Sequence, residues 1–265
     1  MNRLCLALAA VAVRAPDGVE AYLREAFALS QVSGFTPGIG PAAGGVQAAS
    51  AVSLTLEMLK LLPQEVEGAD LSRARRLELQ DRIRQCTSSI LQALESVMTT
   101  ACGQPLGVGT QNGGGGAAGG PWGEEVALAA LDCLQEWVKL GVSLGALATD
   151  RAVLLALLVK LMAGEGVGQG DGVAAAVAAL PKACKACEVV AELVGVREFP
   201  RPAARPAAAE ALLEAMGRMP GLFAAAIQTE DEGACAKMCN TLVTFAQAEM
   251  ELVVGLHGKG LPFVE

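Results

Sequence analysis

Apolar residues recur along this chain at helical spacing almost from end to end. In the stretch 70–101, Leu79, Ile83, Cys86, Ile90, Leu94 and Val97 fall on one stripe. In 123–141, Glu125, Asp132, Glu136 and Lys139 share a polar face, and Leu131, Leu134 and Val138 lie on another. In 205–228, Leu212, Met216, Met219, Phe223 and Ile227 form a stripe, with Pro220 inside it predicting a kink. Strict alternation and β-branched or aromatic clusters are scarce, so strands are not expected. The pattern predicts helices at 3–14, 17–31, 47–63, 70–101, 123–141, 150–163, 173–195, 205–228 and 230–256.

The punctuation between them is informative. Pro63 is expected to end the helix begun at 47, "QEVEGAD" to turn, and Asp70 or Ser72 to cap its partner. "TEDE" at 229–232 reads as a capping box for the last helix. Glycine-rich segments at 33–45, 103–123 and 164–172 lack periodicity and read as loops that separate helix pairs. The order helix, turn, helix, loop recurs about four and a half times, with a unit of about forty to fifty residues. The expected fold is all-α: one α-solenoid of HEAT-like antiparallel helix pairs over 1–265, each pair burying its stripe on its neighbours.

Composition narrows the function classes. The chain is 52% hydrophobic but only 3% aromatic, with a net charge of -8. That charge disfavours direct contact with a nucleic-acid backbone, which selects lysine and arginine. Eight cysteines in 265 residues are too few for a disulfide scaffold. No stretch is long enough to insert in a membrane; "AVLLALLVKLMAG" from Ala152 is short and contains Lys160. "MNRLCLALAAVAVRA" admits two readings, a short secretory signal or an amphipathic helix.

Candidate chemistry is thin. Cys184 and Cys187 share a stripe with Leu180 and Val194, and Cys235 and Cys239 share one with Leu242, Ala246 and Met250, so both pairs are expected in the core. A structural zinc site lacks further ligands. His257 is the single histidine and is expected in a loop, which leaves no catalytic triad. Gly114, Gly116 and Gly119 match a dinucleotide-type spacing, but no strand precedes them. Neither a cofactor nor enzymatic activity is expected. Trp137 shares a stripe with Ala130, Leu134 and Gly141 and is expected between repeats, with an exposed anchor as the other reading.

The sharpest charged cluster is Arg73, Arg75, Arg76, Arg82 and Arg84. One reading is a protein-binding patch for an acidic or phosphorylated segment. The other is a solvated helix face paired locally with Glu78 and Asp81.

Several stretches resemble importin-β-type (karyopherin) nuclear transport receptors, in particular the transportin-SR-like branch. They are "LCLALAAVAV" from Leu4, "LEMLKLLPQEV" from Leu56, "RRLE" at 75–78, "LQEWVKLGV" from Leu134, "CNTLVTFAQAEMELV" from Cys239 and the "GKGLP" after it. The glycine-rich segments and "GVAAAVAALPKACKAC" depart from that pattern. The resemblance implies a HEAT solenoid that shuttles between nucleus and cytoplasm, carries protein cargo in import and is regulated by the small GTPase Ran in its GTP state. Nucleoporins are further candidate partners. It also implies an internal, N-terminal-half fragment, without the family's first repeats or its distant C-terminal ones. Second-of-pair helices would line the inner face, with Arg75 and Arg76 as contact candidates. Glu124, Glu125, Glu230, Asp231 and Glu232 are candidates to meet basic partners. The rival readings are a HEAT scaffold or adaptor subunit not linked to Ran, an enzyme using a reactive thiol, and a secreted helical protein cleaved near Ala15.

Overall fold

A computed structural model of the chain describes residues 2–32, 46–102, 123–165, 173–250 and 253–254. The glycine-rich segment 33–45, almost all of 103–123, most of 164–172, and His257 lie outside the described residues. Among the described residues there are eleven α-helices and no strand. They fall into two compact units, Met1–Val142 and Ser143–Glu265.

Unit 1 holds α1 (Asn2–Arg14), α2 (Gly18–Val32), α3 (Val46–Gly68), α4 (Arg73–Ala101) and α5 (Gly123–Lys139). Helix α3 is its centre and packs on α1, α2 and α5, while α4 packs on α5. The α2–α3 pair is antiparallel, as two buried bonds show. The Tyr22 hydroxyl donates to the Met58 carbonyl (2.9 Å), and Thr55 Oγ1 donates to the Ala26 carbonyl (3.2 Å). Burial of Tyr22 pushes its hydroxyl pKa well up. Gly18 opens α2 where a Cβ would lie 2.2 Å from the Ala12 carbonyl oxygen, so the close α1–α2 turn requires glycine.

Helix α3 does not stop at Pro63 as expected; it continues to Gly68. Proline removes the N–H that would bond to the carbonyl of Leu59, four residues back. Here the indole Nε1 of Trp137, fully buried on α5, donates to that same carbonyl (3.0 Å). A side chain from another helix thus satisfies the acceptor that the proline orphans. Trp137 is therefore a buried anchor between helices and not an exposed one. Ser72 caps α4, accepting from the Arg75 backbone N–H (3.3 Å). The α4 stripe is buried at Leu79, Ile83, Ile90, Leu94 and Val97, with Cys86 half-buried.

Unit 2 holds α6 (Leu144–Asp150), α7 (Ala152–Met162), α8 (Val173–Gly195), α9 (Arg205–Met216), α10 (Pro220–Gln228) and α11 (Glu232–Ala248). Helix α8 is its centre, packed on α7, α10 and α11; α9 packs on α6 and α7. Helices α8 and α11 run in the same direction. Near their middles Thr241 Oγ1 donates to the Cys187 carbonyl (3.0 Å), and near their ends Arg205 bonds both the Val194 carbonyl and Glu249. Helix α10 packs on both of them.

Four expectations are corrected here. The helix expected at 150–163 is α7, which begins at Ala152, and an unexpected helix, α6 at Leu144–Asp150, precedes it across Arg151. The helix at 205–228 is two: residues 217–219 turn and Pro220 begins α10, where its missing N–H is an orphan anyway. That break resets the phase, so Leu222, Ala225 and Ala226 are buried while Phe223 is half-buried and Ile227 exposed. The cap of α11 is Asp231, accepting from the Ala234 N–H (2.9 Å), and not Thr229, which ends α10. Finally, α11 buries Ala234, Met238, Thr241 and Phe245; the stripe with Cys235 and Cys239 is the outer one, with Cys239 and Met250 exposed.

Candidate protein-binding surfaces

The five arginines open α4, but the fold uses them differently. Arg75 reaches back to the end of α1, where its Nη2 donates to the carbonyls of Ala15 (2.5 Å) and Val13 (3.5 Å). Its Nη1 donates to Glu78 (2.9 Å). Arg76 donates to the Ala69 carbonyl beyond α3 (3.3 Å). Cations at helix C-termini satisfy open carbonyls and complement the dipole. Arg82 grips the α1–α2 turn: it donates to the Pro16 carbonyl (2.7 Å) and pairs with Asp17, Glu20 and Glu78. The hydrogen bond to Asp17 leads in raising its pKa, against desolvation, and Arg75's hydrogen bond leads in holding the Glu78 carboxyl below its usual range.

Arg73 and Arg84 differ. Arg73 is exposed, and Arg84, two-thirds exposed, pairs with the equally exposed Asp81 (2.9 Å). The cluster is thus three tethering residues with two outward ones. The local pairing with Glu78 and Asp81 read from spacing is present. The reach of Arg75 and Arg82 to the α1 end, some sixty residues away, left no signal in the sequence.

A groove of about 490 Å³ runs along α7 and α9 in unit 2. Its walls are alanines: Ala148, Ala152, Ala156 and Ala163 on one side, Ala204, Ala208, Ala211 and Ala215 on the other, with Leu155 and Val159 in its lining. Small side chains at helical spacing leave room between two helix backbones. One end is charged: Arg218 there pairs with Glu165 and Glu214, and Lys160 also lines it. Glu124, Glu125, Glu230, Asp231 and Glu232 are all exposed, with Asp231 also serving as the α11 cap.

Four of the thiols are shifted away from nucleophilic chemistry. Burial pushes Cys184 up to about 11 and Cys187 up to about 12, and raises Cys133 and Cys86 as well. A reactive cysteine needs the opposite shift. Among the described residues no group of three or more His, Cys, Asp or Glu side chains is placed to hold a metal. Among them, too, no helix is long and apolar enough to cross a membrane.

Stacked helix pairs with open grooves and outward charges define a HEAT-type helical-repeat protein, whose surfaces suit binding to other proteins. The exportin 1-like protein family model matches residues 1–179, about two-thirds of the chain, and the chain belongs to that family of karyopherin-type nuclear transport receptors. The match spans the stretches from Leu4, Leu56, Arg75 and Leu134; the one from Cys239 lies beyond it. No curated protein matches the chain.

Proposed function

We propose that the chain is a segment of a nuclear transport receptor of the transportin-SR-like branch. It binds protein cargo, takes part in Ran-GTP-regulated import, meets nucleoporins, and shuttles between nucleus and cytoplasm. The observation that carries the reading is the family match over residues 1–179, which falls on the helical pairs described above. The reading treats residues 1–265 as HEAT-like helix pairs throughout. Its mechanism is binding along helix faces, with no bond made or broken.

Of the arginine patch Arg73, Arg75, Arg76, Arg82 and Arg84, the outward pair Arg73 and Arg84 is proposed to touch an acidic partner. The other three hold α4 where that contact is made. The α7–α9 groove is proposed to take apolar side chains of a bound protein segment. Cargo and Ran-GTP oppose each other because each favours a different curvature of the repeats, and coupling of this kind is reciprocal.

The test is cargo binding by the full-length receptor with and without Ran-GTP. The reading expects cargo held without Ran-GTP and released when it is added. Equal cargo binding in both conditions sinks it in favour of a HEAT scaffold not linked to Ran.

A further inference from the structure

Four charged side chains meet in unit 2, three of them buried or half-buried and Arg201 exposed. Arg205, at the start of α9, is 5% exposed, and Glu249, at the end of α11, is 3% exposed. Arg205 Nε donates to Glu249 Oε1 (2.8 Å). Its Nη1 donates to Glu198 Oε2 (2.6 Å) and the Val196 carbonyl (3.1 Å), and its Nη2 to the Val194 carbonyl (3.0 Å). Arg201 holds the other oxygen of Glu249. Glu198 in turn accepts from the Gly145 backbone N–H, at 3.1 Å to Oε1 and 3.3 Å to Oε2. Gly145 lies in the first turn of α6, where amides have no partner within the helix. A Cβ on it would sit 2.7 Å from Glu198 Oε1, so the approach depends on glycine.

One run of charge-assisted bonds therefore joins the end of α11, the end of α8 and the start of α6 through a single guanidinium. We propose that Arg205 is the hub of a two-state latch that couples the seating of α11's C-terminal end to the capping of α6. The physical reason is burial. If Glu249 leaves, Arg205 keeps Glu198 as its one remaining counter-charge in the interior. An under-compensated buried charge is costly, so the guanidinium draws Glu198 fully onto itself and off Gly145. Half-seated states are disfavoured, and the two ends change together. The proposal rests on the transport-receptor reading only for its use: a receptor that alternates between ligands needs joints with discrete positions.

Hydrogen exchange on the 265-residue chain tests the latch without Ran or cargo, so its outcome is independent of the transport reading. The amide of Gly145 is followed in the native chain, Glu249→Gln, Glu198→Ala and the double variant, with Val159 in mid-α7 as reference. Glu249→Gln should raise exchange at Gly145 by about tenfold or more relative to Val159. Adding it to Glu198→Ala should raise Gly145 no further, because that amide has already lost its acceptor. Arg201→Met, which loosens Glu249 from the solvent side, should act in the same direction and less strongly. An unchanged Gly145 in Glu249→Gln, or a uniform rise that includes Val159, overturns the latch.

Discussion

Replacing Trp137 by phenylalanine removes one indole N–H from the interior of unit 1, and the consequence depends on residue 63. The Leu59 carbonyl has that indole as partner at 3.0 Å because Pro63 has no N–H to offer. Leu59 and Trp137 are both essentially inaccessible, so water cannot replace the lost donor. Leaving a buried carbonyl unpaired costs about 1–3 kcal/mol, beyond the packing lost with the smaller ring. With alanine at 63, a backbone N–H returns and bonds to Leu59 within the helix. Trp137→Phe should then cost only its packing share. The two substitutions should therefore couple by about 1–3 kcal/mol in a double-mutant cycle. Urea denaturation followed by circular dichroism measures all four corners. Additivity within about 0.5 kcal/mol would refute the account of how α3 passes its proline.

Three further outcomes follow from other contacts. Arg75→Met should destabilise unit 1 by about 1–3 kcal/mol through the carbonyls it leaves open at the end of α1, whereas Arg73→Ala with Arg84→Ala should leave the melting temperature unchanged and weaken binding of an acidic partner; calorimetry and titration of each variant decide. Stability should fall as pH rises above about 9, because unfolded thiols release protons that Cys184 and Cys187 retain when folded, up to about 11 and about 12; the slope reaches about 1.4 kcal/mol per pH unit for each group, and a flat profile to pH 11 contradicts the burial of these thiols. Ala156→Leu with Ala211→Leu should fill the α7–α9 groove, keep the melting temperature and reduce cargo capture, and unchanged capture removes the groove from the binding surface.

The sequence showed the helices but not how each meets its neighbours. The α4 stripe from Leu79 to Val97 was legible because one face of that helix is buried and the other is strongly polar. The passage of α3 through Pro63 leaves no local signal, because the donor that rescues Leu59 lies 78 residues away. Cys235, Cys239 and Met250 have the spacing of a core stripe, but α11 is apolar on more than one face, and periodicity does not say which face is covered. Pro220 fits a kink or a start equally well until the turn at 217–219 is seen. The arginines of α4 were conspicuous as a run, yet their division into tethers and outward groups depends on the α1 end. Arg205 opens an alanine- and proline-rich stretch with no charge pattern of its own, and its counter-charge Glu249 is 44 positions on.

The most direct test of the central claim is binding of Ran to the full-length receptor in its two nucleotide states. The account predicts tight binding of Ran-GTP, weak binding of Ran-GDP, and loss of bound cargo in proportion to the Ran-GTP bound. Equal affinity for both states, or none for either, would contradict it.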